Sequence, residues 1–126
     1  MSKKLLYTLE YPVRCSPGIL YEFLSSPAGL QEWFADIVDE RDGVFSFSWN
    51  GTEEYANVVD KEADKFIRFH WTHSGKDEFF EFRIDKSEVT NQTILVVTDF
   101  ADKKDIKDQC QLWASQVKEL FLRPGS

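Results

Sequence analysis

A single long amphipathic helix, placed after a series of short alternating segments, constrains this sequence more than any other feature. Residues 103–122 put Ile106, Cys110, Trp113, Val117, Leu120 and Phe121 at intervals of three and four, which makes one apolar stripe. Asp102 or Asp105 is placed to cap that helix, and Arg123-Pro124-Gly125 stops it. Before it, the chain reads as strands whose two faces differ. Phe45, Phe47 and Trp49 alternate with Val44, Ser46 and Ser48, and Asn50-Gly51 follows as a hairpin turn. Residues 54–62 return as the partner strand, and Asp64-Lys65 turns into a strand bearing Ile67, Phe69 and Trp71 on one face. Ser74–Asp77 turns again, Phe80, Phe82 and Ile84 alternate, and Asn91-Gln92 leads into Thr93 to Phe100.

The front of the chain completes the order. Leu5, Tyr7, Leu9 and Tyr11 alternate within residues 4–13 and predict a first strand. Ser16-Pro17 and Ser26-Pro27 each supply an N-cap followed by proline at the first helical position, where its missing N–H costs nothing. They open two short helices, one through Ile19, Leu20, Phe23 and Leu24 and one through Leu30, Trp33 and Phe34. A meander of about six twisted strands, each with an aromatic face, curls round its apolar side. Only the terminal helix is long and apolar enough to cover that side. The expected fold is therefore α+β: a curved antiparallel sheet wrapped around a long C-terminal helix, with two short helices after the first strand. A length of 126 residues and the absence of a linker or repeat make residues 1–126 one expected domain.

Composition excludes several functional classes. A net charge of -7 disfavours phosphate backbones and anionic lipid, so neither nucleic acid nor a membrane surface is the expected partner. The Lys3-Lys4 and Lys103-Lys104 pairs read as solvated ends of elements. No stretch approaches the ~20 apolar residues of a membrane span, and no secretion signal precedes the first strand, so a cytoplasmic protein is expected. Cys15 and Cys110 show no metal-binding spacing and read as plain thiols, with one disulfide between them as the alternative.

Taken together, the motifs resemble the START-like (helix-grip, SRPBCC) superfamily, and most closely its branch named for activator of Hsp90 ATPase homologue 1-like proteins. The pattern is carried by Leu30, Trp33 and Phe34, by Gly43-Val44-Phe45-Ser46-Phe47, by Phe66 to Trp71, by Gln92 to Thr98, and by Trp113 in the last helix. Leu112 stands where the family usually has a glycine before that tryptophan. The resemblance implies a cavity for a small hydrophobic ligand, lipid- or polyketide-like, between sheet and C-terminal helix. The alternative is a protein-interaction module of the Hsp90-activator type, and a cyclase or hydrolase using the same cavity ranks last.

The residues themselves supply no catalytic motif, and neither a metal nor a cofactor is expected. His70 and His73 fall on opposite faces of one strand, so they do not share a metal. His70 reads as solvent-facing, whereas His73 is open between cavity rim and surface. Glu53-Glu54, Asp60, Glu62 and Asp64 sit at strand ends and turns and read as solvated. Asp99 shares its face with Leu95 and Val97; if that face is inward it lies at the cavity mouth as a polar handle, and otherwise it is exposed or caps the helix. Cys110 reads as packed. The aromatic set either packs as a dry core or lines a pocket, and the resemblance favours the pocket. The expected lining is Trp33, Phe47, Trp49, Phe69, Trp71, Phe82, Asp99 and Trp113.

Overall fold

In the computed structural model, which describes residues 4–75 and 77–122, the strand reversals are fixed by local chemistry. Four non-glycine residues there take left-handed backbone, Asp42, Asn50, Asp64 and Asn91, and each sits between two strands. Asp and Asn tolerate that region because their short polar side chains bond locally. At Asp42-Gly43 (φ 53° and 83°) and Asn50-Gly51 (φ 51° and 84°), two consecutive positive φ values match the right-handed twist of the flanking strands. Lys3, Lys76 and the Arg123-Pro124-Gly125 stop lie outside the described residues.

The elements run β1 (Leu5–Val13), α1 (Pro17–Ser25), α2 (Pro27–Gln31), β2 (Ile37–Arg41), β3 (Val44–Trp49), β4 (Thr52–Glu62), β5 (Phe66–Trp71), β6 (Phe80–Lys86), β7 (Thr93–Ala101), one turn of 3-10 helix (Lys103–Asp105) and α3 (Ile106–Phe121). The strands form one seven-stranded antiparallel sheet in the order β1-β7-β6-β5-β4-β3-β2. It does not close, and β1 and β2 are its edges. The expected fold class is the observed one.

Each short helix begins as the Ser-Pro pairs predict. The Ser16 hydroxyl accepts from the Ile19 amide at 3.4 Å. Ser26 Oγ accepts from the Gly29 amide at 3.0 Å while donating to the Glu22 carbonyl at 2.7 Å, so one side chain joins the end of α1 to the start of α2. The junction is so tight that a Cβ on Gly29 would lie 2.1 Å from the Glu22 carbonyl oxygen. The long helix differs from expectation at its start. It opens with the 3-10 turn, and neither Asp102 nor Asp105 makes a side-chain capping bond. Ile19, placed by spacing on the apolar stripe of α1, is 45% exposed, because α1 turns only its Leu20–Leu24 face to the sheet. Both cysteines are free, Cys15 buried and Cys110 half-buried.

Alternation then decides the core. Phe45, Phe47, Ile67, Phe69, Phe80, Phe82, Leu95 and Val97 point to the concave face and are buried there under Leu20, Leu24, Leu30, Trp113, Val117 and Leu120 of the helices. Full burial of such side chains is worth roughly 1.5–3 kcal/mol each, so this face dominates the stabilisation of the fold. Among the helices' sheet contacts, those of α3 are closest with β1, while α1 covers β5 and β6. This off-centre seating of α3 positions the candidate site.

Candidate functional site

The volume directly between sheet and helices is occupied. Phe34, in the turn after α2, carries its ring into it and is buried. That ring stacks on Trp113 (centroids 5.6 Å, 17°) and on Phe80 (5.8 Å, 28°) and meets Phe47 edge-on at 5.1 Å. Trp33, Phe47, Phe69, Phe80 and Phe82 surround it in further ring contacts. Of the expected lining residues, Phe47, Phe69 and Phe82 have no exposed surface and belong to this packed centre. Trp33 is nearly buried, and its indole N–H is taken by the Phe23 carbonyl at 2.8 Å.

Open space lies to one side, between the flank of α3 and the Trp49 and Trp71 ends of β3 and β5. A cleft of about 460 Å³ has Trp49, Trp71 and Leu112 as its apolar walls and the edges of Phe34 and Trp113 as its floor. Glu54, His73, Asp99, Gln109 and Gln116 supply its polar rim. A hollow of about 320 Å³ continues past Trp71, His73, Asp99 and Gln109 towards Lys4 and Asp102. Another, of about 590 Å³, shares Phe34, Trp49, Leu112 and Gln116 and reaches the turn after α2. The three together form a groove along the helix. It therefore gathers Trp49, Trp71, Asp99 and Trp113 from the expected lining, with Trp33 at its far end.

Hydrogen bonds fix those walls. The Phe34 carbonyl accepts from Trp49 Nε1 at 2.7 Å and from Gln116 Nε2 at 2.9 Å, tying the turn after α2 to β3 and α3 at once. The Trp71 ring stacks on His73 at 6.0 Å, and His73 Nε2 lies 3.0 Å from Glu54 Oε1. Asn50 at the hairpin tip is held by its amide donating to Asp36 Oδ2 at 2.9 Å. His70, on the other face, places its Nε2 3.0 Å from the Gly75 carbonyl.

Asp99 faces inward at the cleft wall, and its partners come from three elements. Trp113 Nε1 on α3 is 3.1 Å from Asp99 Oδ2 and 3.1 Å from the Tyr7 hydroxyl on β1, and that hydroxyl is itself 3.4 Å from Oδ2. Oδ1 accepts from the Phe100 amide at 2.7 Å. Burial raises the Asp99 carboxyl above its ordinary pKa, while the amide, the indole, the phenol and the charge of Lys4 pull it back. Tyr7 is pushed well above the usual phenol range, first by burial and then by the neighbouring Asp99.

A second charged cluster lies on the opposite face of the sheet. The nearly buried Glu81 accepts from Arg83 at 2.9 Å and from Arg68 at 3.4 Å, with those guanidinium groups over Phe66 and Phe79. Each arginine there has both a carboxylate and a ring, and the buried Arg68 Nε is left without a hydrogen-bond partner. Among the described residues, no group of three or more His, Cys, Asp or Glu side chains is placed to hold a metal. Nor, among the described residues, is any helix long and apolar enough to cross a membrane.

Residues 1–124 match the family model described as the START-like superfamily domain. The chain belongs to the START-like superfamily. A Bacteroides fragilis protein solved by NMR in solution is 36% identical over 95% of this chain and 90% of its own, with a TM-score of 0.66. The Aha1 dimer of Colwellia psychrerythraea shares the START-like fold at 18% identity, covering 93% of each chain with a TM-score of 0.76. DynU16, described as a protein of the dynemicin biosynthetic locus, shares it at 15% identity and a TM-score of 0.76, over 91% of this chain and 45% of its own. No curated protein matches the chain. START-like domains commonly bind hydrophobic ligands, and the helix-grip architecture seen here is the one on which they do so.

Sequence reasoning passed over Leu112, Gln109 and Gln116 as site residues, and it read Glu54, which lines the cleft, as solvated. Leu112 carried a signal, since it departs from the glycine its family usually has, and it is 54% exposed at the cleft. The pairing of Glu54 with His73 needed the strand register, which brings the start of β4 beside the end of β5.

Proposed function

We propose that this START-like chain binds a small, largely apolar ligand in the lateral groove between α3 and the Trp49 and Trp71 ends of the sheet. The carrying observation is the contrast between the two places a ligand could occupy. The centre is closed by Phe34 and its ring contacts, whereas two half-buried indoles, Trp49 and Trp71, face a cleft of about 460 Å³. A concave aromatic wall with a few polar groups at its rim is the usual form of a small-ligand site. The cleft's carboxylates Glu54 and Asp99 are engaged with His73 and with Trp113, and no nucleophile stands beside a base, so binding is favoured over catalysis.

Native mass spectrometry of the protein purified from its own cells, followed by denaturing extraction, tests this reading. A small apolar molecule is expected to be retained by the wild type. Trp71→Leu should lose it, while Tyr55→Ser on the outer face of β4 should keep it. Equal retention by the two variants would remove the groove as the site.

A further inference from the structure

The charged groups of the groove are mostly of one sign. Its indole donors and the Gln116 amide are already spent inward. Trp49 Nε1 and Gln116 Nε2 both donate to the Phe34 carbonyl, and Trp113 Nε1 is held between Asp99 and Tyr7. Among the charged side chains that face the open space, carboxylates predominate. Glu54 and Asp99 line the cleft, and Glu78, Asp102 and Asp105 line the hollow that continues from it. Among the described residues no arginine lines any of the three hollows. Their basic groups are Lys4, bonded to Glu78 at 3.1 Å, and His73, bonded to Glu54 at 3.0 Å. A net charge of -7 on the whole chain adds to the negative potential in this concave, low-dielectric space.

We infer that the ligand of this groove is an apolar molecule bearing a positive charge, an amine or quaternary ammonium, anchored at Glu54 beside Trp49 and Trp71 on the cleft wall. The inference rests on the binding reading above and adds the ligand's charge to it. Glu54 is the anchor because it is engaged at Oε1 alone, by His73, whereas Asp99 is engaged at both oxygens, by the Phe100 amide and by Trp113 with Tyr7. An ammonium at that point gains the second oxygen of the Glu54 carboxylate while its apolar body lies against the exposed parts of Trp49 and Trp71. A carboxylate or phosphate ligand would meet the same negative potential with only the neutral Asn50 and Gln109 amides of the cleft to receive it, which is the costly arrangement.

Three probes of one shape separate the charge from the shape: 2-naphthylmethylammonium, 2-naphthylmethanol and 2-naphthoate. Each is titrated into the 15N-labelled protein while the indole N–H signals of Trp49 and Trp71 are followed. The ammonium is expected to bind about tenfold tighter than the alcohol, and the naphthoate weakest. Glu54→Gln should bring the ammonium to within about threefold of the alcohol. Equal affinity of ammonium and alcohol, or tightest binding of the naphthoate, overturns the charge inference and leaves the groove as a site. If none of the three moves either signal, the groove reading and this inference both fail.

Discussion

Replacing Phe82 with alanine asks whether the space beneath the helix is filled. The Phe82 side chain has no exposed surface, and its ring centroid lies 5.4 Å from Trp33, 5.8 Å from Phe34, 6.1 Å from Phe69 and 5.7 Å from both Phe80 and Trp113. Truncating a buried Phe in a core that does not collapse costs about 3–5 kcal/mol. Five ring neighbours, each contributing beyond simple burial, place Phe82→Ala in the upper half of that range, at about 4 kcal/mol. A chain of 126 residues has a total stability of roughly 6–19 kcal/mol, so the variant stays folded and measurable. Urea unfolding followed by far-UV circular dichroism reads the change. With a slope near 2 kcal/mol per molar, the midpoint falls by about 2 M at unchanged slope. A loss below about 1.5 kcal/mol would mean that Phe82 already borders a void. The packed-centre argument would then be wrong, and the ligand site would return to the middle of the sheet.

Two further outcomes follow from the same structure. Because burial raises the Asp99 carboxyl in the folded state above its ordinary value of 3.8, the native chain holds that proton more tightly than the unfolded chain does. The resulting penalty is fully present above the raised value and vanishes as the pH falls towards 3.8, so wild type should gain stability on acidification relative to Asp99→Asn. Urea midpoints of the two proteins between about pH 4 and 7 report this, and a difference constant with pH would contradict it. Gly29→Ala should cost about 3 kcal/mol or more, since its Cβ would meet the Glu22 carbonyl at 2.1 Å, and a thermal midpoint near that of wild type would contradict the close approach.

The fold was legible because its signals are local. Ser-Pro pairs start α1 and α2, Asn50-Gly51 turns β3 into β4, and a period of two gives way to a stripe at three and four where the sheet ends and α3 begins. The Asp42-Gly43 reversal between β2 and β3 carried a signal of the same kind, although the strand reading ran past it. The site was less legible, because period two says only which face a ring is on. Phe47 and Trp49 share a face, yet Phe47 is sealed and Trp49 borders the cleft. What separates them is the path of the turn after α2, which delivers Phe34 onto the strand centre and leaves the strand end open. That path is a tertiary outcome, set by the Phe34 carbonyl meeting Trp49 and Gln116 from far along the chain. Asp99 was placed on its face by alternation, but its partner Tyr7 lies in β1, 92 residues away.

That distance governs how the chain assembles. Strands β2 to β7 pair with their sequence neighbours, so each hairpin closes a short loop and forms quickly. The β1 edge is the exception: Leu5 pairs with Ala101 and Val13 with Thr93, which requires closing most of the chain into one loop. Trp113, 106 residues from Tyr7, meets it only when that edge and α3 are both in place. The meander is thus the natural nucleus, and the seam joining β1, β7 and α3 is the step that completes folding. Substitutions at Tyr7 or Trp113 should therefore accelerate unfolding while leaving the refolding rate nearly unchanged, whereas changes in the β3–β4 hairpin should slow refolding.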